Sequence, residues 1–107
     1  MVKLTVMYNL PEGTDHEAFL QWRTGPHQKS NASMPKVLKT DFYTAKPTLM
    51  GEPAYRYITE AYFASMEDLE NAFFTEAAQA KLKEDVKRIK DQVFLISEEV
   101  MTTINKE

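Results

Sequence analysis

Alternating apolar and polar positions predict a strand at the beginning of the chain. Residues 2–9 read VKLTVMYN, in which Leu4, Val6 and Tyr8 alternate with more polar neighbours. A period of two is typical of a strand with one buried face. β-branched and aromatic residues predict three further strands, in KVLKTDFYTA, residues 36–45, in YRYITEAYFAS, residues 55–65, and in QVFLISEEVMTTI, residues 92–104.

Two capping signals predict helices between these strands. TDHE and SMED, which begin at Thr14 and Ser65, each place a hydroxyl side chain three residues before an acid. In the first helix Phe19 and Trp22 share one face, and Gly25-Pro26 is predicted to end it. His27 then begins a second short helical piece. After the second helix a further one is predicted from Thr75 or Glu76, with apolar residues at helical spacing at positions 78, 82, 86 and 89.

The order of these elements, βαββαβ, predicts a ferredoxin-like α+β fold. In that fold a four-stranded antiparallel sheet carries both helices on one face. The length of 107 residues predicts one domain, residues 1–107. The other face of the sheet has apolar side chains and no helix to cover it, so we expect a homodimer in which two sheets face each other and enclose cavities.

Composition narrows the classes of function. The chain has no Cys, which excludes disulfides and thiolate sites and makes the cytoplasm the expected compartment. The net charge is −3 and the lysines near the C-terminus are interleaved with acids, so neither nucleic acid nor an anionic membrane is an expected partner. We find no apolar run long enough for a signal peptide or a membrane span.

Metal and nucleotide cofactors are not expected. The two histidines, His16 and His27, have no recognisable ligand spacing, and there is no glycine-rich phosphate loop. His16 lies in the first turn of a predicted helix and is expected to be solvated.

His27 and Glu60 are the candidate catalytic residues. At the start of a short helix the helix dipole disfavours the imidazolium form of His27, and a neutral imidazole suits a general base; the alternative is a surface residue in a connection. Glu60 lies in the third strand, where an apolar cavity would raise its pKa and make it an acid or base. The alternative for Glu60 is an ion pair with Arg56 or Arg23.

Further apolar and aromatic side chains are candidates for contact with a small hydrophobic ligand. Each could equally be a core residue, since an aromatic residue on a strand or on a packed helix face is more often core. The candidates are Met7, Tyr8, Trp22, Phe42 and Tyr62.

Four segments together resemble one known family. They are VKLTVMYNLPEG, HEAFLQWRTGPH, ITEAYFASMEDLENAF and DQVFLISEEV, which cover nearly the whole chain. In their order and spacing the chain resembles EthD-domain proteins of the dimeric α+β barrel superfamily. Family proteins generally have three residues between a Trp and a His, whereas four separate Trp22 from His27 here.

The resemblance implies a homodimer with a pocket in each subunit between sheet and helices. It favours an oxidoreductase, similar to cofactor-independent oxygenases, that acts on a small hydrophobic or aromatic compound. His27 would be the base, and Glu60 or a tyrosine hydroxyl would stabilise the charge on an enolate-like substrate. The alternatives are an isomerase or cyclase of the superfamily, a non-catalytic ligand-binding or accessory protein, and an assembly module. Superfamily analogy alone would allow haem bound through His27, but we expect no cofactor.

Overall fold

Four strands form one antiparallel sheet in the order β2-β3-β1-β4. A computed structural model describes residues 1–106 of the chain. The strands are β1 (Val2–Asn9), β2 (Lys39–Thr44), β3 (Tyr57–Phe63) and β4 (Lys90–Glu98). With the first and last strands adjacent and the helices between them on one face, this is the ferredoxin-like topology, and the predicted fold is confirmed.

The helices are α1 (His16–Trp22), α2 (Gln28–Ala32), α3 (Met66–Phe73) and α4 (Glu76–Asp85). Side-chain caps fix where three of them begin. The Ser65 and Thr75 hydroxyls accept hydrogen bonds from backbone N–H groups three residues later. The cap at Ser65 and the start of a helix at Thr75 or Glu76 are as the sequence predicts. The first helix is capped by the Asp15 carboxylate, which accepts from the N–H of Ala18 at 3.1 Å, so the predicted cap at Thr14 is wrong by one residue.

Gly25-Pro26 does not end the first helix, and that prediction is wrong. A π-helical turn, Arg23–His27, joins α1 to α2, and Trp22, His27 and Gln28 all have right-handed helical backbone angles. Proline has no N–H, and its ring collides with the carbonyl four residues earlier in a regular α-helix. A π turn, with its i to i+5 hydrogen bonds, widens the helix at this point and contains the proline without a break.

The core lies between the helices and one face of the sheet. One cluster contains Val2, Leu4 and Phe63 of the sheet with Leu69 and Ala72 of α3. A second cluster places Tyr8 and Tyr57 of the sheet against Phe19 of α1. All the strand residues in these clusters belong to one face, because side chains alternate along a strand.

The opposite face of the sheet is open. It presents Met7, Tyr43 and Leu95, and within residues 1–106 no helix packs on it. β4 ends at Glu98 rather than continuing to residue 104 as predicted, and residues 99–106 have no regular structure. Val100, Met101 and Ile104 in this tail are almost fully exposed. In residues 1–106, no helix is long and apolar enough to cross a membrane.

Candidate functional site

A cavity of about 180 Å³ lies between the helix-covered face of the sheet and the helices. A cavity of similar size, about 150 Å³, admits benzene in another protein. Most of its lining is apolar and includes Val6, Phe19, Leu82 and Phe94. Lys81 of α4 donates to the Ser30 hydroxyl of α2, which ties two helices that border the cavity. The cavity has the size and lining for a compound with one aromatic ring.

The π turn brings His27 and Trp22 together on the wall of this cavity. Their rings stack with centroids 4.2 Å apart and planes inclined by 22°. In an α-helix residues five apart point in different directions, at about 100° per residue, whereas in a π turn the i to i+5 hydrogen bond places them one above the other. Four residues separate Trp22 from His27, one more than in the EthD-domain pattern, and the π turn accommodates this additional residue.

The imidazole of His27 is held in its neutral form. Burial lowers its pKa to about 4, and the positive charges of Arg23, Lys81 and Arg88 act in the same direction. Among residues 1–106, no side chain is hydrogen-bonded to its ring nitrogens. The imidazole is therefore free to accept a proton or a hydrogen bond from a ligand at neutral pH.

Arg23 is a site residue that the sequence reasoning missed. It lines the cavity, its side chain is 1% exposed, and its guanidinium stacks on the Phe42 ring at 4.5 Å. Its Nη1 donates to Gln28 Oε1 at 2.7 Å and its Nη2 to Thr59 Oγ1 at 3.2 Å. Arg23 follows Phe19 by four residues, so the two side chains lie on the same helix face. A charged residue on this otherwise apolar face is the sequence feature that could have identified Arg23 as a site residue.

The Tyr8 hydroxyl adds a polar group to the cavity. It lies 3.1 Å from Thr59 Oγ1, and burial raises the pKa of Tyr8, so the hydroxyl stays protonated. Tyr8 and Trp22 are the two of the five ligand-contact candidates that line the cavity. Phe42 lies on the helix side of the sheet but stacks on Tyr57 and Arg23 rather than lining the cavity.

Glu60 lies on the open face of the sheet, opposite the face that carries His27. It pairs with Thr5 across the sheet, and its carboxylate accepts from the Thr5 hydroxyl at 2.8 Å and from Lys3 Nζ at 2.7 Å. Burial by itself would raise the pKa of Glu60, but these bonds outweigh it and the pKa lies below its usual range. The structure therefore does not bring Glu60 and His27 together, and the ion-pair partner of Glu60 is Lys3 rather than Arg23 or Arg56.

The remaining candidates lie away from the cavity. Met7 and Tyr62 are on the open face beside Glu60, and the Tyr62 hydroxyl donates to Glu60 at 3.4 Å. His16 is half-buried rather than solvated, because its Nδ1 lies 2.7 Å from the Tyr57 hydroxyl. Within residues 1–106, no group of three or more His, Cys, Asp or Glu side chains is placed to hold a metal ion.

Comparison with known proteins identifies the family. The sequence matches the REDY-like protein HapK family over residues 2–100. The chain belongs to the HapK family. No curated protein sequence matches it significantly.

Solved structures with the same fold include proteins of different activities. An EthD family protein from Bacillus halodurans C-125 is 27% identical with a TM-score of 0.77, over 94% of this HapK-family chain and 99% of that one. A hydroxynitrile lyase from Passiflora edulis is 17% identical with a TM-score of 0.73, over 95% and 96% of the two chains. SnoaB, a cofactor-independent oxygenase from Streptomyces nogalater, is 8% identical with a TM-score of 0.68, over 94% of each chain. The resemblance to EthD proteins is thus confirmed, while the latter two share the fold.

Proposed function

We propose that this protein is a homodimer that binds a small hydrophobic or aromatic compound in the cavity of each subunit, and that His27 removes a proton from it. The observation that carries the proposal is the neutral imidazole on the wall of an apolar cavity, stacked on Trp22 with its ring nitrogens unbonded. A general base must be deprotonated before it acts, and His27 meets this condition over the whole physiological pH range.

The polar groups beside His27 suit the anion that proton removal produces. The Tyr8 hydroxyl and the Arg23 guanidinium both lie on the cavity lining. Fixed donors and cations in a cavity of low polarity stabilise developing negative charge more than water does. An enolate-like intermediate formed there would be stabilised without a metal ion or an organic cofactor.

We favour a subsequent reaction of this carbanion with molecular oxygen: the carbanion passes one electron to O2, the two radicals combine to form a C–O bond, and the peroxide anion takes up the proton held by His27 to give a hydroperoxide. O2 is thus reduced and the substrate oxidised, which would make the protein an oxidoreductase of the cofactor-independent type. The shared fold with a cofactor-independent oxygenase supports this choice. Isomerisation, cyclisation or lyase chemistry would use the same first step, and the hydroxynitrile lyase neighbour supports that alternative. A non-catalytic binding protein would have the cavity but would not need a neutral base.

The dimer is part of the proposal because one face of the sheet has no cover. Tyr43 and Leu95 on this face are 56% and 51% exposed, and the tail adds Val100, Met101 and Ile104. Exposed apolar surface of this extent typically marks an interface. Glu60, with Lys3 and Tyr62, is part of the face that the second copy covers.

Hydrogen–deuterium exchange tests proton removal without knowledge of the natural substrate. Phenylacetone in D2O exchanges its benzylic protons when a base removes them, and NMR spectroscopy measures the rate. We expect the wild-type protein to accelerate exchange and His27→Ala to lose at least about tenfold of the acceleration, as is usual for a general base. His16→Ala is the matched control, since it removes the other histidine. Equal acceleration by wild type and His27→Ala contradicts the proposal; binding without acceleration favours the non-catalytic alternative.

A further inference from the structure

Arg23 is a buried cation without a counter-charge. In residues 1–106 no carboxylate lies within ion-pair distance of its guanidinium. The groups beside it are neutral: the Gln28 amide, the Thr59 and Tyr8 hydroxyls and the Phe42 ring. In addition, its Nε–H has no hydrogen-bond acceptor. Buried charges in proteins are normally paired, because burial removes the hydration of the charge and the attraction of an opposite charge offsets that loss.

Further positive charge surrounds the same cavity. Lys81 lines it from α4, and Arg88 lies over the Trp22 ring with its guanidinium carbon 4.3 Å from the ring centroid. The one acid on the lining is Asp85. On the lining itself two cations, Arg23 and Lys81, face this one carboxyl group, in a chain whose net charge is −3. Asp85 interacts with Lys81 and Arg88, so Arg23 is the cation that remains without a counter-charge.

An anionic ligand would supply the missing counter-charge. The lining beyond these groups is apolar, with Phe19, Leu82 and Phe94 among its residues. Charges interact more strongly in such surroundings than in water, so one negative group would be attracted while the rest of the ligand contacts apolar side chains. The Thr59 hydroxyl and the Tyr8 hydroxyl are further groups that an anionic oxygen could contact there.

We propose that the ligand is a small aromatic or apolar carboxylate and that Arg23 holds its carboxylate group. This rests on the proposed function in using the same cavity, and it adds the chemical class of the compound. Arg23 is then the residue that determines specificity for charge, with His27 beside it, facing the apolar part of the ligand.

A matched pair of ligands separates charge from shape. Benzoate and benzamide have nearly the same size, and only benzoate is an anion at pH 7. Isothermal titration calorimetry with the full-length protein should show benzoate bound at least about tenfold more tightly than benzamide, a factor that corresponds to a typical charge-assisted hydrogen bond. Arg23→Met should bring the two affinities within about twofold of each other, mainly by weakening benzoate.

Two further variants complete the test. Arg56→Met removes an exposed arginine near Tyr57 and should keep the full preference for benzoate. Arg23→Gln removes the charge but keeps an amide that can donate to Gln28 and Thr59, and it should lose the preference for benzoate as Arg23→Met does, so the question remains answerable if Arg23→Met does not fold.

The outcomes distinguish this inference from the proposed function. Equal binding of benzoate and benzamide by the wild type, or an unchanged preference in Arg23→Met, overturns the assignment of Arg23 but leaves the cavity as a binding site. If neither compound binds the wild type, the cavity is not a site for such ligands, and both proposals fail.

Discussion

The properties of His27 come from its neighbours rather than from its own position in the chain. From the sequence alone, the dipole at the start of a short helix accounts for its neutral form. In the structure His27 is the last residue of a π turn inside a longer helical run. Burial and the charges of Arg23, Lys81 and Arg88 favour the neutral form. The same protonation state thus has a different physical cause, which is a set of contacts between distant segments.

The low pKa of His27 predicts a dependence of stability on pH. In the unfolded chain His27 binds a proton near pH 6.5, but in the folded protein only near pH 4. Between these values the unfolded state holds more protons, so acidification favours unfolding. We expect the free energy of unfolding to fall from pH 7 to pH 4 by up to about 3 kcal/mol more in wild type than in His27→Gln.

Urea unfolding at several pH values measures this difference. Carboxylates such as Glu60 also lose their stabilising contribution at low pH, but they do so in both proteins and cancel in the comparison. Parallel pH dependence of the two proteins would contradict the buried neutral imidazole.

Glu60→Gln distinguishes the two faces of the sheet. The substitution removes the ion pair with Lys3 and weakens the bond from Thr5, so we expect it to lower the free energy of unfolding by about 1 kcal/mol at pH 7. Because Glu60 lies on the face away from the cavity, the rate of phenylacetone exchange should change by less than about twofold. A tenfold loss of exchange would instead give Glu60 a part in the chemistry.

Residue types in the sequence identified some of this site and not the rest. Histidines and aromatics at helix and strand positions are ordinary pocket residues, so residue type alone identifies His27, Tyr8 and Trp22. Strand position makes Glu60 a candidate, but the alternation of side chains along a strand does not tell which face the helices cover. The sequence offers Arg23 only as an ion-pair partner, because its burial without an acid depends on three segments that meet only in the fold.

At the level of elements, the π turn is the feature that local sequence signals misjudged. Gly-Pro normally marks a helix end, and a glycine there often has a positive φ. Gly25 does not have a positive φ, and apart from its two chain neighbours and the backbone of its own helix no atom lies within 4 Å of the position that a Cβ would occupy. The helical run continues through Gly25-Pro26 because both sides of it are held against the sheet. Phe19 and Trp22 pack in the core before this point, and Gln28 donates to the Thr40 hydroxyl after it.

This geometry predicts that Gly25→Ala destabilises the protein although φ at Gly25 is not positive. Gly25 is helical directly before Pro26, and a Cβ there would meet the proline Cδ, so we expect a loss of about 1 kcal/mol in the free energy of unfolding. The double variant Gly25→Ala/Pro26→Ala removes this collision and should recover most of the loss. Urea unfolding at pH 7 measures both. Stabilisation by Gly25→Ala alone would contradict the helical backbone at this glycine.

Other elements followed their local signals closely. The hydroxyl cap at Ser65, the start of α4 at Glu76 and the strand pattern of residues 2–9 lie where the sequence predicts them. Such signals are contained within a few residues, so they can be found without the fold. The end of β4 does not follow its local signal. Residues 99–104 have a strand-like composition, but the neighbouring strand β1 begins at Val2, which pairs with Glu98, so the later residues of the chain have no strand to pair with.

For the whole molecule, the open face of the sheet makes assembly the main prediction. Sedimentation equilibrium at micromolar concentration should give twice the chain mass, with β3 and the C-terminal segment in the interface. Leu95→Glu places a charge at the centre of the open face and should shift the protein to a monomer. Phe74→Glu is the control, because Phe74 is comparably exposed but lies at the end of α3, on the helix side. A wild-type monomer would contradict the dimer.

Direct titration of His27 tests the central claim, that a neutral imidazole and an unpaired arginine share one cavity. NMR spectroscopy can follow the imidazole signals of the two histidines against pH, with His16→Gln used to assign them. We predict a midpoint near pH 4 for His27 and a partial rise in Arg23→Met, because that variant removes a nearby positive charge while burial, the larger cause, remains. A wild-type midpoint near 6.5, unchanged in Arg23→Met, would show a solvated histidine and contradict the account.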